Sequence, residues 1–181
     1  MKIVAFAASN SSQSINRALA SYTANLVPGA EVDLLDLNDF EMPIFSEDRE
    51  RESGHPPAAG AFLARIAAAD ALVISYAEHN GSFSVAYKNV LDWASRISRK
   101  VFQQKPTLML ATSPGAGGGA SVLALAERSA PSMGAELIAS VSVPSFHDHF
   151  DLASGQGKEG EPIDRIRAAA RELAEGLAAV G

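Results

Sequence analysis

The sequence contains no cysteine. That excludes disulfides, thiolate catalysis and Cys-ligated metal or iron–sulfur sites, and it is consistent with a cytoplasmic protein. Basic charge is also in short supply. Lys and Arg number 15 against 21 Asp and Glu, a net charge of −6. No basic face is left to suggest nucleic acid, and the acidic balance disfavours non-specific adhesion to membranes. No apolar run is long enough to span a bilayer. The opening MKIVAFAAS has one Lys and a short apolar run. A signal peptide needs a longer run and a cleavage region, so the stretch reads as a first strand. Two nucleotide signatures are missing as well. The absence of GxxxxGK[ST] argues against a nucleoside triphosphate site, and the absence of GxGxxG after the first strand removes the usual dinucleotide fingerprint.

What remains is ample for a folded core. The chain has 181 residues, 47% of them hydrophobic and spread along the whole length, which fits a single globular domain over residues 1–181. Strand-like runs alternate with helical patterns. Lys2–Ala8 reads as a buried strand, followed by Ile15, Leu19, Tyr22 and Leu26 at helical spacing. Ala30–Leu37 reads as a second strand, and Asp39–Pro57 as a long irregular segment. AAGAFLARIAAA is a helix ending near Asp70, Ala71–Ala77 a third strand and Ser82–Ile97 another helix. Pro106–Ser113 is the fourth strand, GGASVLALAERSAPSMG a helix and Glu136–Val143 the fifth strand. Gly155–Pro162 reads as a surface loop before a terminal amphipathic helix, Pro162–Val180, with Pro162 in its first turn. This alternation predicts an α/β fold. Its core is a doubly wound five-stranded parallel sheet of flavodoxin-like order 2-1-3-4-5, with helices on both faces.

In such folds ligands bind beyond the carboxyl ends of the strands, where the strand order reverses. Three loops meet that description: Ala8–Ser14, Ala77–Ser82 and Ser113–Gly119. All three are rich in Ser, Asn or Gly. The first leads from a strand into a helix, and helix N-termini bind phosphate through free N–H groups and partial positive charge. Ser9, Ser11, Ser12 and Ser14 add hydroxyls, and Asn16 an amide or N–H. No Lys or Arg stands in this loop before Arg17, so a phosphate here is held mainly by neutral donors. The same residues also suit an ordinary N-cap, and the loop alone does not separate the two. In the second loop Asn80-Gly81 is a turn dipeptide, with Ser82 placed to cap the next helix. The third, SPGAGGGA, is too glycine-rich for a mere connection. Its glycines let backbone approach a flat ligand and expose N–H groups.

Together these loops resemble the NADPH-dependent FMN reductase family, which includes flavodoxin-like quinone, azo and chromate reductases. The family patterns GSxRxxSxNRxLA, PEYNGSxPGxLKNAIDW and SPGxxGG read here as ASNSSQSINRALA, AEHNGSFSVAYKNVLDW and SPGAGGG, in the same order. MPIFSED (Met42–Asp48) resembles the family's LPLYDED stretch after strand two. The resemblance covers roughly residues 2–150 and is most specific at Lys88, Asn89, Asp92 and Trp93.

The resemblance implies FMN as cofactor and NADPH or NADH as co-substrate. Ser9, Ser11, Ser14, Ile15 and Asn16 would hold the FMN phosphate. Ala77, Glu78, His79, Asn80 and Gly81 would border the isoalloxazine ring, and Ser113, Pro114, Gly115 and Gly118 would line its other edge. The implied activity passes hydride from NAD(P)H to the flavin and on to a quinone, a free flavin or a similar small acceptor, in a homodimer or homotetramer. The chemistry is the flavin's, so no catalytic side chain is assigned. Backbone N–H groups around Gly115 would stabilise negative charge on the reduced ring.

The chain departs from the pattern at Ser11 (usually Arg), Ala77 (usually Pro), His79 (usually Tyr) and Ser84 (often Pro). Two other readings therefore stay open: a non-enzymatic flavin-binding electron carrier, and a flavin-free interaction domain. No metal site is expected, since HDHFD (His147–Asp151) has no further ligand at fitting spacing. Lys88 and Asp92 lie one helical turn apart and suit a modest ion pair. Trp93 suits the core or a subunit contact, and EDRERE a solvated loop.

Overall fold

After Lys2 the first strand is wholly apolar because it lies in mid-sheet, with helices over both of its faces. The computed structural model describes residues 1–180. In chain order they form β1 (Lys2–Ala8), α1 (Ile15–Asn25), β2 (Glu31–Leu34), a 3-10 turn (Leu37–Phe40), α2 (Glu47–Ser53), α3 (Pro57–Ala67) and β3 (Ala71–Tyr76). Two short strands follow, β4 (Glu78–His79) and β5 (Ser82–Phe83), then α4 (Val85–Ile97), β6 (Lys105–Thr112), α5 (Ala120–Met133) and β7 (Ala135–Val143). The chain continues through α6 (Phe146–His149), β8 (Phe150–Asp151), β9 (Gln156–Gly157) and α7 (Glu161–Val180).

The main sheet has the order β2-β1-β3-β6-β7. Every neighbouring pair in it is parallel. This is the expected 2-1-3-4-5 order, with β6 and β7 as fourth and fifth strands. Side chains alternate across the sheet, as the pleat requires. Val4, Phe6 and Ala8 join a core under α3, α4 and α5 that includes Phe62, Tyr87 and Trp93. Ile3 and Ala5 join the opposite core under α1 and α7, with Leu19, Val73, Ile166 and Leu173. Phe62 is an aromatic hub in the first core, edge-on to Phe6 at 5.7 Å and to Phe40 at 5.5 Å. Truncating such a buried ring typically costs about 3–5 kcal/mol.

The structure corrects four local expectations. Residues 39–57 are not irregular throughout, because EDRERES folds as α2. Ser46 caps it by accepting the Arg49 N–H at 3.2 Å, and Glu47, Asp48 and Glu50 suit the positive end of the helix. No α2 residue is buried, so the apolar spacing that betrays a helix in sequence is missing. The second strand ends at Leu34 rather than Leu37, because the chain turns at Asp36, whose carboxylate accepts the Asn38 N–H at 2.9 Å. Ser82 does not cap α4; it lies in β5, and Ser84 caps the helix by accepting the Tyr87 N–H at 3.2 Å. Within Gly155–Pro162, Gln156-Gly157 pairs antiparallel with Phe150-Asp151 rather than looping freely. Trp93 is buried in the core, and Lys88 pairs with Asp92 at 2.6 Å on the surface of α4. No described helix is long and apolar enough to cross a membrane.

Candidate functional site

The three loops gather where the sheet changes direction, at the carboxyl ends of β1, β3 and β6. The first is a compact turn between β1 and α1. Ser9 is buried, and its hydroxyl accepts the Ser11 N–H at 3.1 Å. The Ser14 N–H donates to the Ser11 carbonyl at 3.2 Å. Ser14 is the N-cap of α1, accepting the Arg17 N–H on its hydroxyl at 3.2 Å. The N–H groups of Ile15 and Asn16, first in the helix, have no intrahelical acceptor and face the loop. Asn38 braces the loop from outside by donating to the Asn10 carbonyl at 3.1 Å. Ser11 is exposed, while Ser14 and Ile15 are half-buried.

The Asn16 side chain points away from this cradle and into the sheet. Its Oδ1 accepts the Ser75 hydroxyl at 2.7 Å and the Thr112 N–H at 3.1 Å, and its Nδ2 donates to the Thr112 carbonyl at 3.2 Å. A single buried amide thus clasps the start of α1 to β3 and β6. Only the Asn16 backbone N–H is left for the loop.

The second loop is a hairpin of β4 and β5 closed by Asn80-Gly81. Their φ values of 52° and 74° are those of a type I′ turn, which needs positive φ at both central residues. Ala77 is buried at its base and His79 exposed near its tip. Glu78 reaches across to α5, where its carboxylate accepts the Val122 N–H at 3.1 Å. It thereby caps a helix whose own N-cap, Gly119, has no side chain to do so. Ser84 ties the hairpin's exit to β1 by donating to the Ala8 carbonyl at 2.9 Å. Behind the hairpin, burial pushes the phenols of Tyr76 and Tyr87 above their ordinary range, and their rings pack edge-on at 5.5 Å. Both stay neutral and serve packing.

The third loop divides in two. Gly118 packs against the β7 exit, and a Cβ on it would come within 2.5 Å of Ser142 Oγ and 2.8 Å of the Pro144 nitrogen. Gly119 is similarly close to Ala111, at 2.9 Å. Gly115 and Gly117 instead border open space, with nothing within 4 Å of where a Cβ would sit. The Gly115 carbonyl accepts the Ser145 N–H at 2.9 Å and the Ser113 hydroxyl at 3.1 Å, so this part is pinned as well. Pro114 and Gly115 are exposed and Gly118 is buried.

Beside the first two loops lies a cavity of about 310 Å³, lined among others by Asn10, Asn38, Met42, Ile44, His79 and Val85. Of the site residues expected from sequence, only His79 lines it. Glu41 and His79 are the ionisable side chains of its lining among the described residues. Its outer wall is the segment after the 3-10 turn, which sequence reasoning did not assign to the site. Two α4 side chains hold that wall. Asn89 accepts the Phe45 N–H at 2.9 Å and donates to the carbonyls of Met42 and Pro43 at 3.0 and 3.2 Å. Trp93 donates its indole N–H to the Pro43 carbonyl at 2.7 Å and meets the Phe45 ring edge-on at 5.0 Å. The helix α2 follows this wall in the chain, outside the cavity, and is anchored where Glu50 pairs with Arg96 and His55, each at 2.9 Å. Those two partners hold the Glu50 carboxyl below its usual range. The signal was present in MPIFSED and in the Asn89 and Trp93 motif, but nothing in sequence showed that the two touch.

A doubly wound sheet with its loops gathered at the strand-order switch defines the flavodoxin-like class of α/β proteins. Within that class, the sequence profile of one family, NADPH-dependent FMN reductase, matches residues 1–148. The chain belongs to that family. It is 36% identical over 105 residues to an NADPH:quinone oxidoreductase of Arabidopsis thaliana, a match covering 58% of this chain and 52% of that protein. It is 38% identical over 118 residues to a 2-hydroxy-1,4-benzoquinone reductase of a Burkholderia species, covering 64% of this chain and 62% of that one. The matches thus span between half and two thirds of these relatives. Among solved structures, the flavoenzyme FerB, an NAD(P)H:(acceptor) oxidoreductase of Paracoccus denitrificans, superposes with a TM-score of 0.77 at 21% identity, covering 98% of this chain and 97% of that one.

Proposed function

We propose that this protein is an FMN-dependent oxidoreductase that takes electrons from NAD(P)H and passes them to a quinone or a similar small acceptor. The observation that carries the reading is the cradle at the start of α1, with N–H groups of Ile15 and Asn16 unmatched within the helix, beside a cavity walled mainly by apolar and amide groups, with Glu41 and His79 its ionisable side chains. The donor set fits a phosphate. The hydroxyls of Ser9 and Ser14 each accept a backbone N–H and so keep their own proton to donate outward. Ser11 adds an exposed hydroxyl. Gly115 and Gly117 fit a flat group, since side chains there would fill the space their backbone borders.

Bound FMN supplies the electron transfer itself. The chain's work is to bind and orient. Ser9, Ser11, Ser14 and the N–H groups of Ile15 and Asn16 hold the phosphate end. The hairpin residues Ala77, Glu78, His79, Asn80 and Gly81 border the ring, and Ser113, Pro114 and Gly115 face its other edge. Gly118 supports that edge from behind, because it packs on Ser142 and Pro144. Glu78 makes the hairpin and the start of α5 one unit, so the two ring-bordering loops keep a fixed spacing. The cavity wall from Met42 to Phe45 keeps water from one side of the site. The reading includes a homodimer or homotetramer and a cytoplasmic setting, on the strength of the family resemblance and the cysteine-free composition.

The test is spectroscopic. The purified protein is mixed with FMN, freed of excess by gel filtration, and its visible spectrum recorded before and after NADH or NADPH, with and without a quinone. Retained flavin that bleaches with NAD(P)H and recovers with quinone is the expected result. Failure to retain flavin overturns the reading. Retained flavin that neither nicotinamide bleaches would instead describe a carrier.

A further inference from the structure

An anion cradle built of hydroxyls and N–H groups leaves a phosphate dianion without a counter-charge. Ser11 supplies none, and residues 8–16 contain no Lys or Arg. One residue further on is Arg17, in the first turn of α1, with its backbone N–H on the Ser14 hydroxyl at 3.2 Å. Among the described residues its guanidinium forms no ion pair, although five of the other Arg side chains do. Its Nε is buried without any hydrogen-bond partner. A buried, unpartnered charged N–H is a costly arrangement, and native structures keep one only where something else relieves it. Arg17 lines a groove shared with Ser21, Tyr22 and Asn25, one helical turn and more from the loop, while the general lean of helical side chains toward the N-terminus makes the loop reachable by a change of rotamer. That groove, of about 370 Å³ along α1 and bordered also by Gln156, leaves the guanidinium room to make the change.

We infer that Arg17 is the counter-charge of the cradle: it turns to the phosphate when a flavin mononucleotide binds, and the anion relieves its unpartnered Nε. The inference rests on the flavin reading above. It makes Arg17 a specificity residue for the phosphorylated flavin over the unphosphorylated one, replacing the Arg that Ser11 lacks.

The test compares FMN with riboflavin, which shares the ring and lacks the phosphate. Affinities are read from quenching of flavin fluorescence in the native protein, Arg17→Met and Arg17→Lys. A charge-assisted contact of this kind is worth about tenfold in affinity or more. The native protein is expected to prefer FMN, with the preference weakening as salt rises. Arg17→Met lowers FMN affinity by about that tenfold factor and leaves riboflavin unchanged, and Arg17→Lys recovers part of the loss. The melting temperature of flavin-free Arg17→Met stays at or above the native value, because the unpartnered N–H is gone. An unchanged FMN-to-riboflavin ratio in Arg17→Met overturns the inference while leaving the flavin reading intact. So does an equal loss of both ligands accompanied by a lower melting temperature, which describes a structural arginine. If the native protein quenches neither flavin, the flavin reading falls first and this one with it.

Discussion

Replacing Asn16 with Ala removes three hydrogen bonds at one stroke, to Ser75 Oγ and to both backbone groups of Thr112. Asn16 is 4% exposed, Thr112 2% and Ser75 fully buried, so water cannot take the place of the lost amide. The Ser75 hydroxyl can rotate to another acceptor, but the Thr112 N–H and carbonyl are fixed by the strand. Each buried group left without its partner costs about 1–3 kcal/mol. A total of about 3 kcal/mol corresponds to a melting midpoint lowered by roughly 6–12 °C in a chain of this size. Ser75→Ala removes one of the three bonds and should cost only about 1 kcal/mol. Asn16→Asp keeps the shape but turns a carboxylate oxygen toward the Thr112 carbonyl. Burial and that contact raise its folded pKa above the unfolded value. Its stability is therefore best below the unfolded value and falls as pH rises through the folded one. The deficit of Asn16→Asp against the native protein should thus be smaller near about pH 5 than near about pH 8. Circular dichroism melts of the flavin-free variants measure all of this. An Asn16→Ala midpoint within about 2 °C of native would refute the reasoning, as would a pH-independent deficit in Asn16→Asp.

The third loop and the sheet edge offer sharper contrasts. Gly118→Ala forces a Cβ to within 2.5 Å of Ser142 Oγ at a φ of +59°, and should cost about 2 kcal/mol or more. Gly117→Ala meets nothing within 4 Å and should change stability by no more than about 0.5 kcal/mol, so paired urea titrations of the two variants should separate widely. Asp33 accepts a bond from Arg65 Nε at 2.8 Å, with Lys2 at 3.5 Å. These cations hold its carboxyl below the usual range, the Arg65 hydrogen bond first among the causes. Its stabilisation is present above the unfolded pKa and lost as pH falls through the lowered folded value. Asp33→Asn should cost about 1 kcal/mol at neutral pH, Arg65 being well exposed, and the gap to native should close in acid. Urea midpoints across the acid range check it, and a gap that stays constant with pH would count against the pairing.

The sheet order was legible because it depends on alternation alone, and Ile3–Ala8, Ala71–Ile74 and Leu108–Ala111 are unbroken apolar runs. The hairpin was half legible. Asn80-Gly81 announces a tight turn, but two-residue strands are too short to show a period, so the cap was placed on Ser82 instead of Ser84. The helix α2 escaped because its stability comes from a cap and from Glu50 pairing with Arg96, neither of which leaves an apolar stripe. The site was legible as three loops and not as a cavity. Its outer wall depends on Asn89 reaching three backbone groups more than forty positions away, and contacts of that range have no local signature. Asn16 illustrates the limit most plainly. Its position in the motif singled it out, yet only the folded arrangement turns the amide inward to Thr112 and leaves the N–H facing outward.

The two hydrophobic cores on opposite faces of the sheet have a practical corollary for engineering. Leu19, Ile166 and Leu173 pack on the α1 and α7 face, whereas the cavity and its wall rest on the face of Phe62, Tyr87 and Trp93. The two clusters have no member in common, and the strands lie between them. Stability changes on one face should therefore add to those on the other. The α7 helix can then be varied in a library as a reservoir of tolerance, raising thermal resistance in steps while the three loops and the start of α1 keep their sequence.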